Sequence, residues 1–316
     1  MSILCVGEMM ADIVVTSAPV IDFSVDSTLV DDIALKNGGD ALNVSIGLAK
    51  LGASVAFIGK AGNDMFGTYI VDAAKRAGVD VSHVKVSKKL PNSRIIALVR
   101  KDGERCFLQC PGSNMEFSTE DIDYKLLADY THLHIGGTFH LPAFDGEGAA
   151  SLLAAARAAG LTTSMDVAYD HSGRWLSLIR PCLPHLTWFI PSEGEAECIT
   201  GSAEPKEVCA FLQKEGVENV IIKRGKAGSY CRQGTKEFSC GSYDVPVVDA
   251  TGAGDGFVAG FLNGLQAAMP VEDCVRMGTA TAAFVLQAYG ATDGVPSATA
   301  LKDFMDKNVQ LEIVYE

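Results

Sequence analysis

The chain has 316 residues, is 48% hydrophobic and carries a formal net charge of −13. That length and composition can bury a large core, while the acidic balance argues against nucleic acid or an anionic membrane as partner, because both need a basic face against their phosphates. Nine cysteines show neither a framework spacing nor a C-x-x-C pair, so they are expected to be reduced thiols, mostly small buried hydrophobes, in a cytoplasmic protein.

The opening MSILCVGEMMADIVV has no basic n-region and sets Glu8 and Asp12 inside its apolar stretch, unlike a secretory signal. Apolar β-rich runs predict strands at Ile3–Val6, Val55–Ile58, His132–Ile135, Thr162–Asp166, Trp188–Ile190 and Asn219–Lys223. Helical patterns alternate with them: Ala41–Leu51 ended by Gly52, Asp64–Ala77 ended by Gly78, then Glu147–Ala159, Val208–Glu215, Gly256–Ala268 and Val271–Ala288. Such alternation predicts an α/β fold on a mainly parallel sheet, without internal repeats or linkers. Ser93–Cys110 breaks it, reading as two strands joined across Lys101, Asp102, Gly103 and Glu104, and Ala11–Lys36 is similarly strand-like.

The run DATGAGDGFVAGFL, Asp249–Leu262, carries the chemistry. Gly252, Ala253 and Gly254 leave backbone N–H groups free to converge on an anion at a helix N-terminus, and Asp255 sets a proton acceptor beside them. Phosphoryl transfer to a hydroxyl needs that pairing. The alternative is a close-packing turn with Asp255 as helix N-cap. No G-x-x-x-x-G-K-[ST] is present, and a dinucleotide site would bring Asp255 against a pyrophosphate. For the acceptor, Asp12 and the Gly38–Asn43 turn, with Gly39 and Asn43, offer the carboxylate, amide and exposed backbone that hold a polyol; turn formation, or N-capping by Asp40 or Asn43, is the competing reading. For a nucleotide, Lys223, Gly225 and Gly228 follow a predicted strand, and Ser192 and Glu195 stand in PSEGEAE. Glu195 can act through water on magnesium or phosphate, or simply favour its helix start.

Two long motifs in register, GGDALNVSIGLAKLG from Gly38 with VAFIGKAGNDMFG from Val55, and VDATGAGDGFVAGFL from Val248, make the chain resemble the ribokinase-like (PfkB) carbohydrate kinases over nearly its whole length. The resemblance implies one domain over 1–316 with a three-layer α/β/α fold, and a small β-sheet lid from about 11–36 and 88–112 that pairs subunits into a homodimer. It implies ATP and Mg2+, Asp255 as general base, Gly252–Gly254 as anion hole, and Asp12, Gly38, Gly39 and Asn43 on the sugar. Ser192, Lys223, Gly225 and Gly228 would bind ATP, with Glu195 reaching magnesium through water. A monovalent cation such as K+ would sit by Asp249, Thr251 and the carbonyls of Val285, Ala288 and Gly290. Met10, Asp40, Ser192 and Gly294 depart from the family pattern, which has asparagine, lysine, asparagine and serine there.

The expected reaction is transfer of the γ-phosphoryl group of ATP to a hydroxymethyl group of ribose, fructose or a 2-keto-3-deoxygluconate-like acid. A nucleoside kinase would add an aromatic platform, for which Phe107, Phe139 and Phe144 are candidates; a non-catalytic sensor of the same fold would not need Asp255. Arg94 and Arg105 on the lid hairpin could meet an anionic group or remain solvated. His132 and His134 share a strand face without a third ligand, and Gly256, Gly260 and Gly264 share a helix face suited to close packing. Asp166 and Asp170 could approach phosphate through magnesium or act as caps.

Overall fold

A computed structural model describes residues 2–100, 105–308 and 310–316. The chain begins with β1 (Ser2–Gly7), β2 (Met10–Thr16), β3 (Asp32–Gly38), α1 (Asp40–Lys50), β4 (Ser54–Ile58), β5 (Lys60–Gly62), α2 (Met65–Ala77) and β6 (Lys85–Ser87). It continues through β7 (Arg94–Val99), β8 (Arg105–Cys110), β9 (His132–Thr138), α3 (Glu147–Ala158), β10 (Thr162–Val167), α4 (Trp175–Ile179), β11 (Trp188–Phe189) and α5 (Glu193–Thr200). The last elements are α6 (Pro205–Lys214), β12 (Asn219–Lys223), β13 (Ser229–Gln233), β14 (Lys236–Cys240), α7 (Ala253–Gln266), α8 (Val271–Val285), α9 (Ala298–Lys307) and β15 (Ile313–Tyr315).

The large sheet has the order β15-β14-β13-β12-β11-β10-β9-β1-β4. Pairing is parallel from β4 to β12 and antiparallel from β12 to β15. Strand alternation explains why both faces are covered. In β1, Ile3 and Cys5 join a core with α1, α7 and α8, whereas Leu4 and Val6 join a second core with α3, α5 and α6. The result is the expected three-layer α/β/α arrangement. Along α7, β-carbons added at Gly256, Gly260 and Gly264 would lie 2.8 Å from Val285, 2.5 Å from Thr281 and 2.9 Å from Cys274, so those glycines let α7 seat on α8.

A separate, smaller sheet, β3-β2-β7-β8, is built around a small core of Val14, Ala97 and Val99. The strand-like stretch Ala11–Lys36 resolves into two strands around a loop at 17–31, where Phe23 and Leu29 are each 96% exposed. The expected turn at Lys101, Asp102, Gly103 and Glu104, and the side chain of Arg105, lie outside the described residues. Helix boundaries shift from the sequence reading by one or two residues in several places and by three residues at three ends. The helix expected at Gly256–Ala268 begins at Ala253, that at Val208–Glu215 begins at Pro205, and that at Val271–Ala288 ends at Val285.

Candidate active site

Gly252 caps α7 from the left-handed region, with φ +75°. A side chain there would collide with Ala291, whose Cα lies 2.5 Å from the β-carbon position. No side chain caps the helix, so its first-turn N–H groups carry the positive end of the dipole into a cleft of about 830 Å³ lined by Gly252, Ala253, Gly254 and Asp255. Asp255 is therefore not the N-cap, which removes that alternative. It stands one turn in, its Oδ2 accepting from Asn43 Nδ2 at 2.9 Å.

That bond ends a chain of side chains. Thr292 Oγ1 donates to Asn37 Oδ1 at 3.1 Å, and Asn37 Nδ2 donates to Asn43 Oδ1 at 3.0 Å. With its oxygen occupied, the Asn43 amide turns its NH2 to the carboxylate. Burial pushes Asp255 up to about 7; the Asn43 bond opposes this, Asp166 adds to it and Lys223 opposes it. The group thus titrates near neutrality, where a base can both take and release a proton.

Asp12 approaches from β2, and Gly38 is what admits it. A β-carbon on Gly38 would sit 2.1 Å from Asp12 Oδ1, an oxygen that is buried without a hydrogen-bond partner. Burial, then Glu8, Asp255 and Asp249, push Asp12 up to about 8. Gly39 caps α1 at φ +93°, packed against Met9 and Glu8, so neither Asp40 nor Asn43 is a cap. Asp40 is raised well above the usual carboxylate range by burial, Asp255, Glu8 and Asp166, with Lys223 opposing. Glu8 is buried and accepts from His140 Nδ1 at 3.0 Å. The imidazolium of His140 is held against its own burial by Glu8, which raises it.

The other half of the cleft is lined by Asp166, Tyr169, Ser192, Glu195, Lys223, Gly225, Gly228, Tyr243 and Phe107. Ser192 and Glu195 form a capping box on α5: Glu195 Oε2 accepts from Ser192 N at 2.7 Å and Ser192 Oγ from Glu195 N at 3.4 Å. Lys223 pairs with Asp166, and Ser192 bridges to Lys223 across the strand ends. Gly225 and Gly228 have φ of +53° and +80°. At Gly228 a β-carbon would strike the Cys240 carbonyl at the end of β14, while Arg224 N donates to Gly228 O at 2.8 Å to close the β12–β13 turn. Asp170 instead accepts from Ser172 and from the Trp175 N–H, capping the start of α4.

Asp249, Thr251 and Gly290 converge. Asp249 Oδ1 accepts from Thr251 N at 2.9 Å and Oγ1 at 2.7 Å, and Oδ2 accepts from Gly290 N at 3.1 Å. The Val285 carbonyl receives the Ala288 N–H at 3.2 Å, so Val285 and Ala288 close the same loop. Among the remaining candidates, Phe144 is core, Phe139 packs on Trp175 with centroids 5.3 Å apart, and Arg94 lies 5.4 Å over the Phe66 ring. His132 and His134 are tied to Ser164, with burial depressing both to about 3, so they stay neutral.

Fold and cleft together define a phosphotransferase with an alcohol acceptor. Residues 1–298 match the family described as pfkB family carbohydrate kinase. The 2-dehydro-3-deoxygluconokinase of Bacillus subtilis is 31% identical over 279 residues, covering 84% of this chain and 86% of that protein. The fructoselysine 6-kinase of Escherichia coli is 31% identical over 257 residues, 81% of this chain and 91% of that protein. Among solved structures, the ribokinase of Thermotoga maritima superposes with a TM-score of 0.83 at 23% identity, covering 96% of this chain and 99% of that one. The chain belongs to the pfkB family of carbohydrate kinases, and is an ATP-dependent kinase of a sugar or sugar acid.

The sequence reading missed Asn37, Thr292 and the Glu8–His140 pair. Glu8 carried a signal, a charged residue inside an apolar β run; Asn37 and Thr292 carried none, since they meet across 255 positions.

Proposed function

We propose that Asp255 takes the proton of an acceptor hydroxymethyl group while the N–H groups at Gly252, Ala253 and Gly254 receive the transferring phosphoryl charge. The observation that carries this is a buried carboxylate of near-neutral affinity in the first turn of a helix that has no side-chain cap and opens on the cleft. As the acceptor O–H bond breaks, its oxygen bonds to the γ-phosphorus. The bond from that phosphorus to the β,γ-bridging oxygen then carries its electrons to ADP. Asp12, with the backbone at Gly38 and Gly39, holds acceptor hydroxyls; Asn43 orients the base as well as bordering the acceptor. Ser192, Lys223, Gly225 and Gly228 line the nucleotide side.

Among the described residues no group of three or more His, Cys, Asp or Glu could hold a metal ion; magnesium would be carried largely by the nucleotide phosphates. Glu195, with one oxygen outside its capping box, would meet magnesium through water. When bound, magnesium neutralises β- and γ-phosphate charge. The Asp249, Thr251, Val285, Ala288 and Gly290 loop is the proposed K+ site, ordering the turn before α7. The chain acts as one domain and as a homodimer through the lid, whose Phe23, Leu29, Ile33 and Leu108 are exposed. No described helix is long and apolar enough to cross a membrane, and nine unpaired cysteines fit a cytoplasmic enzyme.

The acceptor is a neutral sugar or a 2-keto-3-deoxy sugar acid and not a sugar phosphate, because no cluster of lysines accompanies the acceptor motifs around Asp12 and Gly38–Asn43 to neutralise a dianion. An ADP-release screen over ribose, fructose, 2-keto-3-deoxygluconate, fructose phosphates and nucleosides tests this. Turnover confined to a sugar phosphate would overturn it.

A further inference from the structure

The turn that carries Gly38 and Gly39 is flanked by two carboxyl groups, of which the reaction proposed above uses one. Asp12 stands over Gly38, where a β-carbon would sit 2.1 Å from its Oδ1 and 2.2 Å from its Oδ2. Glu8 stands behind Gly39, where a β-carbon would sit 2.8 Å from the Glu8 carbonyl oxygen. The backbone of Glu8 is clamped just past the end of β1: its N–H donates to the Gly136 carbonyl at 3.1 Å, and its own carbonyl accepts from Leu42 N at 3.2 Å. Its side chain runs over Gly137, whose φ is +76° and whose β-carbon position lies 2.3 Å from Glu8 Cβ and 2.9 Å from Oε2. Glycine at 137 therefore makes the room that Glu8 occupies. Both carboxyls keep an oxygen unengaged. Asp12 Oδ1 is enclosed without a hydrogen-bond partner. Glu8 is 2% exposed and its Oε1 accepts from His140 Nδ1 at 3.0 Å, while no hydrogen bond among the described residues reaches Oε2. Burial comes first in raising Asp12 and Glu8 comes second, so the two groups feel each other across the turn. Interior carboxyl oxygens without partners are costly unless a ligand completes them, and a sugar hydroxyl does so with its O–H while bringing no charge.

We propose that Glu8 is a specificity-determining residue: its Oε2 accepts from one acceptor hydroxyl while Asp12 Oδ1 bonds the adjacent one, so that the site selects polyols with a vicinal hydroxyl pair. This rests on the acceptor site proposed above, and ribose, fructose and 2-keto-3-deoxygluconate each carry such a pair. Because the two carboxyls flank consecutive glycines, they address neighbouring hydroxyls instead of opposite ends of the acceptor. His140 is the positioning residue. By holding Oε1 it fixes the direction of the other oxygen, and it touches no substrate itself.

The test compares ribose, fructose or 2-keto-3-deoxygluconate, whichever the ADP-release screen selects, with its singly deoxygenated analogues in the presence of magnesium-ATP. Wild type should lose about 10–10²-fold in kcat/KM, mostly through KM, on each of two analogues lacking neighbouring hydroxyls, the scale of one hydrogen bond to a carboxylate. Glu8→Ala should bring the parent acceptor down by a similar factor yet leave one of those two analogues unchanged, because the contact that the analogue lacks is already gone. His140→Phe keeps Glu8 without its alignment, and should weaken discrimination against that same analogue and no other. Since Glu8→Ala strands His140 Nδ1 in the interior, the comparison is repeated in Glu8→Ala with His140→Phe, which leaves no orphaned donor there and should give the same pattern. An equal loss on the parent and on every analogue, or a parent kcat/KM within about threefold of wild type in Glu8→Ala, overturns the proposal. Asp255→Asn tests the underlying reaction separately, since a failed base assignment would leave the analogue pattern in place.

Discussion

Replacing Asp255 by asparagine preserves volume and the first turn of α7 while removing the basic oxygen. Asn43 Nδ2 donates to this position at 2.9 Å, and its own oxygen is held by Asn37, so it can offer only a donor. The new amide must therefore turn its carbonyl to Asn43 and its NH2 to the acceptor, presenting a donor to a hydroxyl that needs an acceptor. Loss of a general base costs about 10²–10⁴-fold, or about 2.7–5.4 kcal/mol of barrier, and the inverted amide places this site toward the upper end. ADP release across pH 5.5–9 is the assay. Wild type should gain kcat as pH rises through about 7, where Asp255 ionises, and the variant should lack that limb. The same raised affinity has a sign in stability: the buried acid favours the fold at low pH, and that contribution is lost as pH rises through about 7. Asp255→Asn should therefore melt higher relative to wild type at pH 8 than at pH 5. More than a tenth of wild-type kcat, or a surviving limb near 7, would refute the argument.

Asn43→Ala removes a bond that favours the ionised base, and a hydrogen bond to a charged group is worth about 1.5–3 kcal/mol. The acid limb of kcat should move up by about 1–2 pH units, and an unmoved limb would show the bond to be idle. Exchanging K+ for a bulky organic cation at constant ionic strength should slow turnover without changing acceptor preference; equal rates would remove the cation loop from the mechanism. Phe23→Lys with Leu29→Lys should convert a dimer to a monomer in sedimentation, and an unchanged mass would place the subunit contact elsewhere. Gly228→Ala, with φ +80° and the Cys240 carbonyl in its path, should lower stability by more than about 1 kcal/mol, read by urea unfolding.

Which parts were legible follows from range. The parallel strands and α1, α2 and α3 show as apolar periods closed by glycines, and Ser192-x-x-Glu195 is a local capping signature. The Gly252–Asp255 turn is readable because its cleft-lining residues are consecutive. By contrast, β13 and β14 read SYCRQ and KEFSC, polar segments that become strands only by extending the sheet from β12, and β15 joins them from the far end of the chain. The loop at 17–31 imitates strand because its apolar residues face outward instead of into a core. Local sequence also cannot tell whether Asp255 caps its helix or accepts from Asn43. That depends on α1 lying beside α7.

The row from Thr292 through Asn37 and Asn43 to Asp255 joins three separate stretches of chain, and Asn37 lies on β3 of the small sheet. Because Asn37 fixes the amide that faces Asp255, the setting of that carboxylate is shared between α1 and an edge strand of the small sheet, and a change confined to β3 would be felt at the start of α7 without touching it.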